Sequence, residues 1–244
     1  MSIDLSISSH VTDMYKGQKS MLVMVVAKSG RGKSTAMRNM DPESTFLISV
    51  IGKPLPFPKG IKWVEGQNMI TQANPDTIRR AMMEVGKNEK FTSLVIDDGQ
   101  YIMATEFMSN AMVKGYDKFT LMAKNIWDVL SLATKLRGGL KVFFLTHEEE
   151  TNTGERKMKT LGKLLDEKIT PEGLSAIVLY GDVVNDEQKR TYYFSTQSDG
   201  YTNAKSPFDM FPPKIPNDLK LVSDRIDEYY QGVEMKDSKL NFSL

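Results

Sequence analysis

The apolar positions of this chain fall into short unbroken runs, separated by longer stretches in which they recur with a helical period. Residues 21–26 (MLVMVV) are apolar throughout. A strand with one wet face would alternate, so this run predicts a strand buried on both faces. Residues 44–50 (STFLISV), 93–96 (SLVI) and 142–146 (VFFLT) read the same way. Residues 177–180 and 191–195 predict two further strands joined by a turn at 185–188, a hairpin on the sheet edge.

Between these runs the period is helical. A helix is expected from Lys33 to about Met40. Another starts at Asn74-Pro75-Asp76, where Asn caps, Pro takes the first position and Asp faces the positive end of the dipole, and runs to about Val85. Residues 100–113 and 119–136 follow. In the second, Phe119, Met122, Ile126, Trp127, Leu130 and Ala133 share one face, which places Trp127 in the core, and Gly138-Gly139 ends it. A last helix is expected near residues 219–230. The proline-rich segment 53–60 predicts a loop and residues 61–64 a short strand. Residues 148–159 read as a charged mobile loop, and those from Gly232 as a loose polar tail. Strands alternating with helices predict an α/β fold with a mostly parallel central sheet flanked by helices. The expected division is an N-terminal extension over 1–18, one nucleotide-binding domain over 19–218, and a C-terminal helix and tail over 219–244.

Composition narrows the chemistry. The 244 residues contain no cysteine, which excludes disulfides and thiolate metal sites. The two histidines, His10 and His147, are too few for a histidine zinc site. Thirty-two basic residues balance thirty-one acidic ones, so any nucleic-acid surface must be local or assembled from several copies. Sixteen methionines read as adaptable core filler. The polar N-terminus does not read as a signal peptide, and no apolar run reaches membrane-spanning length, so the expected location is cytoplasmic.

One motif carries chemistry directly. Residues 27–35 read Ala27-Lys28-Ser29-Gly30-Arg31-Gly32-Lys33-Ser34-Thr35. This is the phosphate-binding pattern G-x-x-x-x-G-K-[ST], with alanine in place of the first glycine, set between a strand and a helix as the motif requires. Gly30 and Gly32 let backbone N–H groups of Ser29, Arg31 and their neighbours turn toward phosphate oxygens, with Thr35 completing the loop. Lys33 is expected to neutralise the β and γ phosphates and Ser34 to ligate Mg²⁺. The buried strand ending at Asp97 supplies the acidic residue of the magnesium shell. For the group that orients water, Asp98 and Glu148 compete, and Thr146 or His147, at the end of the 142–146 strand, are candidates to sense the γ phosphate.

The order of these parts, with Asn203-Ala204-Lys205 after the late strand pair, resembles phage-encoded RecA-like P-loop ATPases over residues 20–220, and among them the Sak-type single-strand annealing proteins. The resemblance implies a RecA-like core, ATP and Mg²⁺, homo-oligomers, single-stranded DNA as partner, and a role in phage recombination or replication within the bacterial cytoplasm. It matches Lys205 to the basic residue that a neighbouring subunit contributes to the site. Pro207 stands where many relatives have an arginine, and the segment Ser49-Val50-Ile51-Gly52-Lys53 lacks the glutamate that often follows the second strand. DNA contact is expected on the loop after His147, through Arg156, Lys157, Lys159, Lys163 and Lys168, without an aromatic residue to stack on bases. The alternatives are an annealing protein with ATP as a structural ligand, and a P-loop NTPase or nucleotide kinase without a DNA role. A kinase would need an arginine-rich lid, and this segment has one arginine, Arg156.

Overall fold

A computed structural model describes residues 18–161, 169–185 and 189–232. Nine strands form one sheet: β1 (Met21–Ala27), β2 (Thr45–Ser49), β3 (Met69–Thr71), β4 (Ser93–Asp97), β5 (Lys141–Glu150), β6 (Arg156–Met158), β7 (Ile177–Asn185), β8 (Arg190–Ser195) and β9 (Lys214–Pro216). The order is β3-β2-β4-β5-β1-β7-β8-β9, with β6 pairing β5. From β3 to β7 every pair along this order is parallel. The antiparallel pairs are β7 with β8, β8 with β9, and β5 with β6. This is the mostly parallel α/β sheet that the apolar runs predict.

The unbroken runs have a simple cause. Successive residues of a strand point to opposite faces, and both faces are covered. Leu22, Met24 and Val26 pack with Ile96, Phe144, Ile78, Met82, Met122, Ile126 and Leu130. These helical residues belong to α1 (Pro75–Lys87) and α3 (Asp117–Ala133), with α2 (Gln100–Ser109) adding Ile102 and Met103 on the same side. Val23 and Val25 face the other way, with Val95, Phe143 and Leu145, onto Leu219, Val222 and Ile226 of α4 (Leu219–Tyr230). Asn74 caps α1 as its sequence predicts: its side chain accepts from the N–H groups of Asp76 and Thr77. No helix among the described residues is long and apolar enough to cross a membrane.

Four local expectations are corrected. The helix after the phosphate loop is a six-residue 3₁₀ turn (Ser34–Asn39), stopped where Met40 turns extended ahead of Asp41-Pro42. Residues 61–64 form no strand: a 3₁₀ turn (Pro58–Lys62) occupies the segment, and the edge strand beside β2 is β3. The charged segment after His147 is a hairpin, because β5 continues to Glu150 and β6 folds back on it with Glu148 opposite Met158 and Glu150 opposite Arg156. Trp127 lies 36% exposed at the margin of its helical stripe, whereas Trp63 is buried in the second core. Residues 1–17 of the expected N-terminal extension over 1–18, residues 186–188 of the 185–188 turn, and the tail beyond Gly232 lie outside the described residues.

Candidate nucleotide-binding site

The phosphate loop leaves β1 between two parallel neighbours, and its start is tightly packed. Ala27 lies opposite His147 of β5. On the other side, β7 presents Gly181, where a side-chain carbon would stand 2.9 Å from the Ala27 methyl and 3.3 Å from the Arg31 carbonyl. The alanine that departs from the motif therefore fits because its neighbour has no side chain. Gly30 and Gly32 both hold the left-handed backbone, at φ +75° and +83°, that makes the loop curl.

Inside the curl, Lys33 Nζ donates to the carbonyls of Ala27 (2.8 Å) and Lys28 (3.1 Å). Burial pushes this ammonium down to about 8, against the opposing pull of Asp98, Asp97 and Glu148. Ser34 Oγ donates to Asp97 Oδ1 at 3.0 Å, joining the loop to the end of β4. Burial, and then the adjacent Asp98, push the Asp97 carboxyl up to about 6, while the Ser34 bond pulls the other way.

Asp98 takes a left-handed backbone, φ 60°, unusual for a non-glycine residue. Its carboxylate is gripped at both ends. Lys53 Nζ lies 3.0 Å from Oδ2 and His147 Nε2 lies 3.5 Å from Oδ1. Burial alone would raise this carboxyl; His147 and Lys53 outweigh it and hold the group below its ordinary value. Burial likewise works against the Lys53 charge, but Asp98 holds it above its usual range. His147 packs edge-on against Tyr101, with ring centroids 5.9 Å apart.

These groups line one cleft of about 250 Å³ at the C-terminal ends of β1, β4 and β5: Ser29, Gly30, Gly32, Lys33, Ser34 and Thr35 on one wall, with Lys53, Asp97, Asp98 and His147 facing them. Crevices at the carboxyl ends of parallel strands are where α/β sheets bind ligands. Among the described residues no three His, Asp or Glu side chains gather as a metal cage. The donors present, one hydroxyl and one carboxylate, suit Mg²⁺ held jointly with phosphate oxygens.

The structure keeps the remaining candidates apart from this cleft. Glu148 is not part of the cleft lining: it is held in a bidentate pair with Arg156, at 3.1 and 2.7 Å, lies 3.9 Å from Lys28 Nζ, and its side chain is 0% exposed. Arg156 also meets Asp182 at 2.7 Å, and Asp182 is paired in turn with Arg31 of the loop. Thr146 is fully buried, its hydroxyl without a hydrogen-bond partner. Lys205 is exposed; its backbone pairs with Val178, and it borders a separate hollow with Glu172, Ser198 and Thr202. Lys163 and Lys168 lie outside the described residues.

One residue of the cleft, Lys53, and one packed behind its loop, Asn217, escaped sequence reading. Lys53 was legible only as an absence, the missing glutamate after β2. Asn217 precedes α4, packs 3.2–3.3 Å from where a Gly32 side-chain carbon would sit, and has both amide atoms buried without partners. No local pattern marks it.

No family model matches the chain, and no curated protein matches it. Among solved structures, a KaiC-like protein of the hyperthermophilic archaeon Pyrococcus horikoshii is similar at 13% identity and a TM-score of 0.47, over 81% of this chain and 85% of that one.

Proposed function

We propose that the protein is a magnesium-dependent P-loop ATPase of RecA-like type. The observation that carries the reading is the convergence at one cleft of Lys33, seated inside its loop, with the Ser34 hydroxyl 3.0 Å from the Asp97 carboxylate. The RecA-like assignment is supported by the strand order, in which β5 separates the loop strand β1 from the acidic strand β4. ATP is the nucleotide the sequence resemblance implies.

In this reading the loop N–H groups and Lys33 bind the phosphates, and Ser34 and Asp97 would hold a magnesium ion, which would supply neutralisation of phosphate charge. Asp98 is the carboxylate left to orient water. The water oxygen bonds to the terminal phosphorus as the bond to the bridging oxygen breaks, yielding nucleoside diphosphate and phosphate. Glu148 is committed to Arg156 and takes no part.

Single-stranded DNA is the effector this reading carries over from the resemblance. On the β5–β6 hairpin Arg156 is engaged by Glu148 and Asp182, and Lys157 lies 3.7 Å from Glu149; Lys159, just beyond β6, has no paired carboxylate among the described residues. Lys205 lines a hollow other than the phosphate cleft, so a role for it at a phosphate requires a second copy of the chain.

The test is ATP hydrolysis by wild type and Lys33→Ala, with and without single-stranded DNA and with and without Mg²⁺. Hydrolysis that needs both Mg²⁺ and Lys33 supports the ATPase reading, and stimulation by DNA supports the DNA role. Hydrolysis indifferent to Lys33 overturns the first, and indifference to DNA overturns the second.

A further inference from the structure

The segment that follows β2 places a base where an acid was expected. β2 runs beside β4 with Ser49 opposite Asp97, and Val50 N donates to the Asp97 carbonyl at 3.1 Å. The chain then turns, Gly52 N donating to Ser49 Oγ at 3.1 Å, so that Lys53 emerges on the cleft wall facing Lys33. The two lysines are held differently. Lys33 is buried and seated on two carbonyls. The Lys53 side chain is 58% exposed; its Nζ pairs with Asp98 and lies 5.3 Å from the Tyr101 ring centroid.

The pair with Asp98 has two consequences. Each carboxylate oxygen of Asp98 already has a partner, Lys53 on one and His147 on the other, so a water molecule must share these oxygens with a cation and an imidazole. And the pair is lopsided: the Asp98 side chain is 9% exposed, whereas the ammonium of Lys53 sits on a solvated, flexible stem and is free to leave. A terminal phosphate, doubly charged and rich in acceptors, is a stronger partner for an ammonium on a flexible stem.

We propose that Lys53 is a sensor of the nucleotide's terminal phosphate: it exchanges Asp98 for the γ phosphate of a bound triphosphate, and the exchange frees Asp98. A diphosphate, held by the loop and Lys33, offers Lys53 nothing and leaves the Lys53–Asp98 pair closed. The inference rests on the nucleotide-binding reading above and adds to it a reason for the chain to tell triphosphate from diphosphate.

Calorimetric dissociation constants of the whole chain for Mg²⁺ with ADP and with a non-hydrolysable ATP analogue test it. Lys53→Met is expected to weaken the triphosphate analogue about tenfold, to change ADP by less than about twofold, and to leave the melting temperature unchanged. Lys53→Arg keeps the preference. Asp98→Asn, which removes the competing partner, raises affinity for the triphosphate analogue but not for ADP. A purely structural Lys53 would weaken both ligands together, and that result, or an unchanged preference in Lys53→Met, overturns the proposal while leaving the phosphate-loop reading intact. A wild type that binds neither nucleotide overturns both.

Discussion

The Ser34 hydroxyl and the Asp97 carboxylate, from segments far apart in the chain, stand 3.0 Å apart across the cleft. The contact fixes the end of β4 against the loop. Asp97→Asn preserves the shape and the hydrogen bond but removes the charge that a cation requires. Magnesium-dependent hydrolysis is expected to fall about 10–100-fold, with the melting temperature of the free protein held within about 2 °C. Titrating Mg²⁺ against hydrolysis rate in both proteins checks this; an unchanged metal dependence would remove Asp97 from the magnesium shell.

Arg156 neutralises a carboxylate that has no access to water. With Glu148 0% exposed and both its oxygens on the guanidinium, Arg156→Ala leaves a buried charge with only Lys28, 3.9 Å away, to offset it. The expected cost is about 3–5 kcal/mol in denaturant unfolding. Combining it with Glu148→Gln is expected to recover most of the loss, because the stranded charge is gone. Equal loss in the single and double variants would mean that the Asp182 contact, not Glu148, dominates.

Glu106 on α2 accepts from Asn125 through one oxygen, and its other oxygen is buried without a partner. Burial raises this carboxyl above its ordinary value, and the Asn125 bond does not offset it. A carboxyl raised in the folded state contributes stability at pH below its unfolded value and loses it as pH rises through the folded value. Glu106→Gln does not titrate there. The variant is therefore expected to melt about 2 °C above wild type at pH 7, with the gap closing as pH falls below the carboxylate range. Thermal melts at several pH values decide it, and a gap that widens in acid contradicts the assignment.

The start of α1 depends on one side chain. Asn74 Oδ1 accepts from Asp76 N at 3.0 Å and Thr77 N at 3.1 Å. Asn74→Ala is expected to cost about 1 kcal/mol, and Asn74→Asp to cost little, which paired unfolding curves would show.

The fold was legible where burial dictates composition. Strands covered on both faces must be apolar at every position, so β1, β4 and the inner part of β5 announced themselves. The cap of α1 was legible because Asn74-Pro75-Asp76 is local chemistry. What the sequence hid depends on distant partners. The 148–159 segment looked like a solvated loop because its charges are visible one by one, whereas its order comes from pairing Glu148, Arg156, Asp182 and Arg31 across three strands and the phosphate loop. Trp127 sits at the edge of its apolar stripe, where helical spacing cannot separate a covered position from a half-covered one. In the cleft, Lys33, Ser34 and Asp97 follow from spacing; Lys53 becomes visible only once β2 lies beside β4.

The snug meeting of Ala27 and Gly181 carries a lesson about reading such loops. The motif asks for glycine at the loop's first residue, and this chain breaks the rule there. The room at this point is shared between two strands: the Ala27 methyl fills space that any side chain on Gly181 would need, so that substitutions at either position carry a meaning only when read together.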